Sequence, residues 1–168
     1  MTAFAEIGVT TNFSFLRGAS HPKEFVAQAA VYGYAAIGIA DRNTLAGAVR
    51  AHSALEELKE QTQGPLPQLL IGARLVFVDG TPDILVYPTD RKAYGRLCRL
   101  LSEGKLRAPK GECLLTLADL LKWQEGLLLV VIPPHPRRDA TTIGLQEKVW
   151  NDGLADRDGG PGSIPKED

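Results

Sequence analysis

Ala35-Ala36-Ile37-Gly38-Ile39-Ala40 is an apolar run that ends abruptly on a charged pair, Asp41-Arg42. It is short for a helix and lacks the alternation of a strand with one wet face. It therefore predicts a strand buried on both faces, the environment of a parallel sheet covered by helices. Segments of helical spacing flank it: Phe25, Val26, Ala29 and Ala30 before, and Leu45, Ala48, Val49, His52 and Leu55 after, reaching about Gln61. Strands alternating with helices predict an α/β fold. With 168 residues and 44% apolar usage, the chain is long enough to give one such domain a real core.

Around this pair of units the remaining elements fall into order. Phe4 to Thr10 reads as a first strand, and the helix after it should start near Pro22, with Ser20 or His21 as N-cap and Glu24 in its first turn. Gly33 suits the exit of that helix. Two further strands, Gln68 to Phe77 and Asp83 to Tyr87, are expected to join through a tight turn at Asp79-Gly80, giving one antiparallel excursion. Asp90 then caps a helix with Tyr94, Leu97, Cys98 and Leu101 on one face and Gly104 as its stop. Thr116 and Asp119 form a capping-box-like start for Leu117 to Trp123, and Gly126 to Ile132 reads as a buried strand. From Arg137 onward glycine and proline accumulate, so the chain divides into an ordered part, 1–136, and a poorly ordered tail, 137–168, with one helical turn around Leu145 to Trp150.

Charge excludes a global polyanion binder, because 19 basic residues face 20 acidic ones. One segment departs from the balance. Between Arg91 and Lys110 lie Arg91, Lys92, Arg96, Arg99, Lys105, Arg107 and Lys110 against the single acid Glu103. This is a solvated or docking face, or a contact for a polyanion, although no aromatics alternate with the charges as single-strand binders require. Two cysteines, Cys98 and Cys113, and no recognisable leader indicate a reducing, cytoplasmic setting. The longest apolar run, Gly126 to Pro134, is far below the roughly 20 residues of a membrane crossing.

Function on such a fold sits in the loops after the strands. Those loops offer Asn12, Ser14, Arg17, His21, Asp41, Arg42 and Asn43, a set with one carboxylate and one histidine. A metal site needs three or more protein ligands converging there. His21 reads as a helix cap, His52 as a surface or structural residue and His135 as structural. Ser14 has no glycine elbow and no base, and Glu112 would raise rather than lower the pKa of Cys113. There is no Walker-type phosphate loop and no internal repeat.

Thr10-Thr11-Asn12-Phe13-Ser14-Phe15-Leu16-Arg17-Gly18-Ala19-Ser20-His21-Pro22 and Ile39-Ala40-Asp41-Arg42-Asn43-Thr44-Leu45-Ala46-Gly47 strongly resemble the start of the PHP (polymerase and histidinol phosphatase) domain of bacterial C-family DNA polymerases. Tyr87 to Leu101 and Ala108 to Cys113 look like the error-prone branch of that family, with the likeness running from about Phe4 to Pro134 and lost after Arg138. The resemblance implies a distorted (β/α) barrel with a three-metal cluster at its strand ends. Carried over residue by residue, the opening His-x-His falls on Gly8 and Thr10, and the next acidic ligand on Arg17. The histidine after the second-strand aspartate falls on Arg42, the third-strand glutamate on Arg74 and the following histidine on Asp83; Asp41 keeps its type. The resemblance thus implies the fold without its metal chemistry, with no metal and no cofactor, and with Arg17, Arg42 and Arg74 converging on Asp41 and Asp83 in place of the cluster. It further implies a truncated, incomplete barrel prone to self-association. In full-length relatives its partners would be the polymerase core and DNA. A PHP-type metal-dependent phosphoesterase and a DNA- or protein-binding module using the 91–110 face are the alternatives.

Overall fold

His21, not Ser20, caps the first helix. Its backbone N–H donates to Glu24 Oε2 at 2.9 Å, and Pro22 occupies the first helical position, where a missing N–H costs nothing. This fixes the start of α1 (Pro22–Val31), which follows strand β1 (Ala5–Val9). The computed structural model describes residues 3–133. After α1 come β2 (Ala36–Arg42), α2 (Gly47–Gln61), β3 (Gln68–Leu75), β4 (Ile84–Pro88), α3 (Arg91–Leu106), α4 (Leu117–Trp123) and β5 (Leu127–Val131). The strands form one curled sheet in sequential order, parallel through β1, β2 and β3 and antiparallel at β3–β4 and β4–β5. β4 alone is reversed, as the single antiparallel excursion required. The result is an α/β half-barrel, open between β1 and β5 among the described residues.

Register sorts the side chains onto two faces. Ile37, Ile39, Ala73, Leu75 and Val86 lie on the outer face, where Val26, Ala29, Ala51 and Leu55 cover one end and Leu97, Leu100, Leu101 and Leu120 the other. The inner face carries Ala40, Leu85 and Tyr87, packed with Ile7, Leu70 and Ile132. Tyr87 spans it. Its ring lies against Gly72, where an added Cβ would sit 2.4 Å from the ring, and its hydroxyl donates to the Ile7 carbonyl beside Gly38. Burial, with a smaller contribution from Glu6, pushes this phenol up to about 12.

Five expectations change. Gly104 does not stop α3: the helix continues to Leu106, and the missing side chain admits the returning segment, with Leu115 Cδ2 2.5 Å and Cys113 Sγ 2.8 Å from where a Cβ would stand. The buried face of α3 is Ala93, Leu97, Leu100, Leu101 and Gly104, leaving Tyr94 exposed and Cys98 half-buried on its flank. The β3–β4 connection is a wide loop rather than a tight hairpin, because Leu75 pairs with Ile84 and Val78 and Asp79 are tied instead to Leu115 and Leu117. β5 is not buried: Leu128, Leu129, Val130 and Val131 are 40–61% exposed on the strand that forms an edge of the sheet among the described residues. Val49 and His52 likewise face outward from α2, whose buried stripe is Ala48, Ala51, Ala54 and Leu55. Expectations for His135, the 145–150 turn and the 137–168 tail fall outside the described residues.

Candidate functional site

The loop from Thr10 to His21 is built on one carboxylate. Asp41, at the end of the buried strand β2, is 1% exposed and accepts the Thr11 N–H (2.8 Å), the Thr11 hydroxyl (2.8 Å) and the Ser14 hydroxyl (2.7 Å). Ser14 Oγ in turn accepts the Arg42 N–H at 2.9 Å, so the first loop is stitched to the second. The chain then turns back on itself: Arg17 and Gly18 donate to the Ser14 carbonyl, and Asn12 N–H reaches Ser20 O at 3.0 Å. Gly18 passes so close to Thr11 that a Cβ would lie 2.4 Å from its carbonyl oxygen, and at Gly47 a Cβ would meet Asp41 Oδ2 at 2.7 Å. Neither position admits a larger side chain without movement. With both oxygens committed to neutral donors beneath the helices, Asp41 fastens the loop and offers nothing to an incoming ligand. Ser14 is equally spent, both donating and accepting.

The other positions of the anticipated site lie elsewhere. Arg42 and Arg74 are register partners and so point to the opposite face from Asp41. Arg74 closes on Asp83 through Nε and Nη2, each 2.7 Å from Oδ2. Arg17 and Arg42 are exposed and make no ion pair with another described residue. The expected convergence of three arginines on Asp41 and Asp83 is therefore replaced by one pair, Arg74–Asp83, and by hydroxyl donors on Asp41. Gly8 brings no ligand atom; its N–H binds Glu6 Oε1 at 2.8 Å. Thr10 supplies only a hydroxyl, a weak ligand for a divalent cation. Among the described residues, no three His, Cys, Asp or Glu side chains gather where they could hold a metal ion. This donor set does not suit a divalent cation.

A family profile for the PHP domain matches residues 7–148. The chain belongs to the PHP domain family. The match runs past Arg138, where the motif likeness was expected to end. At 71% identity over 150 residues the chain is similar to an error-prone DNA polymerase of Rhodopseudomonas palustris strain HaA2, covering 89% of this chain and 13% of that protein. A second, from strain BisB5, is 65% identical over 133 residues, covering 79% and 12%. The PHP chain thus spans about an eighth of the length of these relatives. Among solved structures, an amidohydrolase from Chromobacterium violaceum shares the fold with a TM-score of 0.56 at 17% identity, covering 91% of this chain and 74% of that one.

The basic segment of the PHP chain does not form one face. At 100° per residue, Lys92, Arg96 and Arg99 line one flank of α3 and Arg91 and Lys105 the other, with the buried stripe between. Two of the seven cations are committed internally. Arg96 holds Glu125 (2.9 Å) and its carbonyl, and Arg107 grips Asp119 with two parallel bonds of 2.7 and 2.8 Å. Asp119 also caps α4 through the Thr116 N–H and hydroxyl. The Arg107 hydrogen bonds, followed by those from Thr116, hold its carboxyl below the usual value of 3.8 against the opposing effect of burial. Burial, not Glu112, raises the half-buried Cys113 thiol, while Lys105 and Arg107 oppose it.

The sequence reading passed over Thr11, the double donor to Asp41, and Gly47, which makes room for it. The available signal was an aspartate ending an otherwise apolar strand, which demands donors, with hydroxyls concentrated in the preceding acid-free loop.

Asp41→Ala should orphan three donors and lower the unfolding free energy by about 3 kcal/mol in urea titration, with Asp41→Asn intermediate; an unchanged midpoint for the alanine variant would refute the fastener role. Because the Asp119 pKa is depressed on folding, its contribution is fully present above about pH 4 and is lost as pH falls through the lower folded value. Thermal unfolding followed from about pH 5 to about pH 2 should show a shallower acid decline in Asp119→Asn than in the parent chain.

Proposed function

We propose that this chain is the PHP portion of an error-prone DNA polymerase and acts there as a scaffold, packing on the polymerase core and not hydrolysing phosphoesters itself. What supports the reading is the residue set at the positions that the family resemblance assigns to cation ligands: Gly8, Thr10, Arg17, Arg42 and Arg74 stand there, and Asp83 is held by Arg74. Arginine side chains at the mouth of the sheet repel a divalent ion at close range. No polymerase active site is assigned to this chain, and DNA enters as a partner through the whole polymerase. A cytoplasmic location accords with DNA synthesis, and no described helix is long and apolar enough to cross a membrane.

The scaffold reading draws further support from β5. Four large apolar side chains on an exposed edge strand are the surface that additional polypeptide covers, and in the isolated chain a second copy can take that place.

Calorimetric titration with manganese or zinc should give no stoichiometric binding, and incubation with a simple phosphodiester should give no turnover; tight, saturable binding together with metal-dependent turnover would establish the phosphoesterase reading instead. In sedimentation velocity the isolated chain should populate dimers or larger species, reduced by Leu128→Lys with Val130→Lys; a strictly monomeric parent chain would count against an uncovered scaffold face.

A further inference from the structure

One hollow lies at the carboxyl end of the parallel strands. It opens between the β1–α1 loop, the β2–α2 loop, the exit of β3 and the segment joining α3 to α4, with a volume of about 720 Å³. That lies within the ~300–1,000 Å³ range of ligand clefts, but this hollow is broad and open, suited to a chain passing through. Arg42, Lys105 and Lys110 line it together with Phe13 and Phe15; Glu112 is the one acid. None of the three cations is ion-paired with another described residue, whereas Arg96, Arg107 and Lys122 on the neighbouring surfaces all are. The cations at the hollow are left for something else.

The aromatic rings supply what the linear sequence lacked. Between residues 91 and 110 Tyr94 is the single aromatic among the charges, but folding brings Phe13 and Phe15 to the hollow that Lys105 and Lys110 also line. Phe15 is 84% exposed, and the neighbouring Leu16 is 86% exposed with φ at 58°, a backbone setting unusual for a side chain of that size. This is not a loose tip. Ser14, between the two rings, is bonded to Asp41, and Arg17 and Gly18 close a turn onto its carbonyl. The rings are thus held in water by a buried fastener, so a ligand that stacks on them meets a surface already ordered.

We propose that this hollow binds single-stranded nucleic acid, with phosphates on Arg42, Lys105 and Lys110 and bases stacked on Phe13 and Phe15. Unpaired cations recognise the backbone of any polyanion, but exposed phenyl rings beside them select strands whose bases are free to stack. The assignment stands on the hollow and not on the scaffold reading: metal titration tests that reading, and its failure leaves this site untouched.

The test is fluorescence anisotropy at low salt with the full 168-residue chain and a labelled oligothymidylate of about twelve nucleotides. An abasic strand of equal charge and a polyglutamate peptide serve as comparisons. The thymidylate should bind about tenfold more tightly than the abasic strand, and Phe15→Ala should remove that difference while leaving the circular dichroism spectrum unchanged. Lys105→Glu with Lys110→Glu should weaken binding about tenfold or more. Lys92→Glu with Arg99→Glu, on the other flank of α3, should change it less than about threefold. Equal affinity for the abasic strand, equal affinity for polyglutamate, indifference to Lys105 and Lys110, or no binding at all would each overturn the proposal.

Discussion

A carboxylate with almost no exposure has to find donors inside the protein, and the way Asp41 finds them sets the shape of the loops at the carboxyl end of the parallel strands. Its three donors come from Thr11 and Ser14, on a loop that precedes it by some thirty positions. The penalty for leaving a buried anion unsatisfied exceeds the worth of any single neutral hydrogen bond, so the loop cannot lift away without a large cost. Everything that the loop presents outward, including Phe13, Phe15 and Leu16, inherits its position from that constraint. The glycines follow from the same demand for space, with Gly18 allowing the chain to cross itself and Gly47 allowing α2 to begin against the carboxylate.

The inner face solves a different problem. Around a barrel axis, side chains must fill volume without a large cluster of charge, and here Tyr87 does so across Gly38 and Gly72. Its hydroxyl reaches the Ile7 carbonyl two strands beyond β3, its antiparallel neighbour, cross-bracing the curled sheet from β4 to β1. Packing and one buried phenol thus couple the two sides of the half-barrel. At the rim, Asp83 offsets the charge of Arg74 in a partly exposed pair of modest worth.

Much of this architecture was legible because it rests on local pattern. Ala35 to Ala40 could be little else than a doubly covered strand, and Pro22, Asp90 and Thr116 announced helix starts through donors and dihedrals that act within three or four residues. What was not legible depended on contacts distant in sequence. Gly104 looks like a stop in any helical pattern until Leu115 and Cys113 return to occupy its surface. An all-apolar Leu127 to Val131 looks buried, since composition reports affinity for a cover and not its presence. Family likeness drew attention to Arg17, Arg42 and Arg74, but the partners of those arginines were not legible: which guanidinium reaches which carboxylate is decided by strand register and loop length.

Strand parity also separates two histories. Asp41 and its donors lie beneath the helices, while Arg42 and Arg74 lie on the other side of the same strands. Substitutions on the rim therefore need not disturb the fastener, and the loop can keep its course whatever side chains its neighbours carry. In mutational terms the two sets are uncoupled by a single residue of register, so a change on one face of the sheet leaves the hydrogen bonds of the other in place.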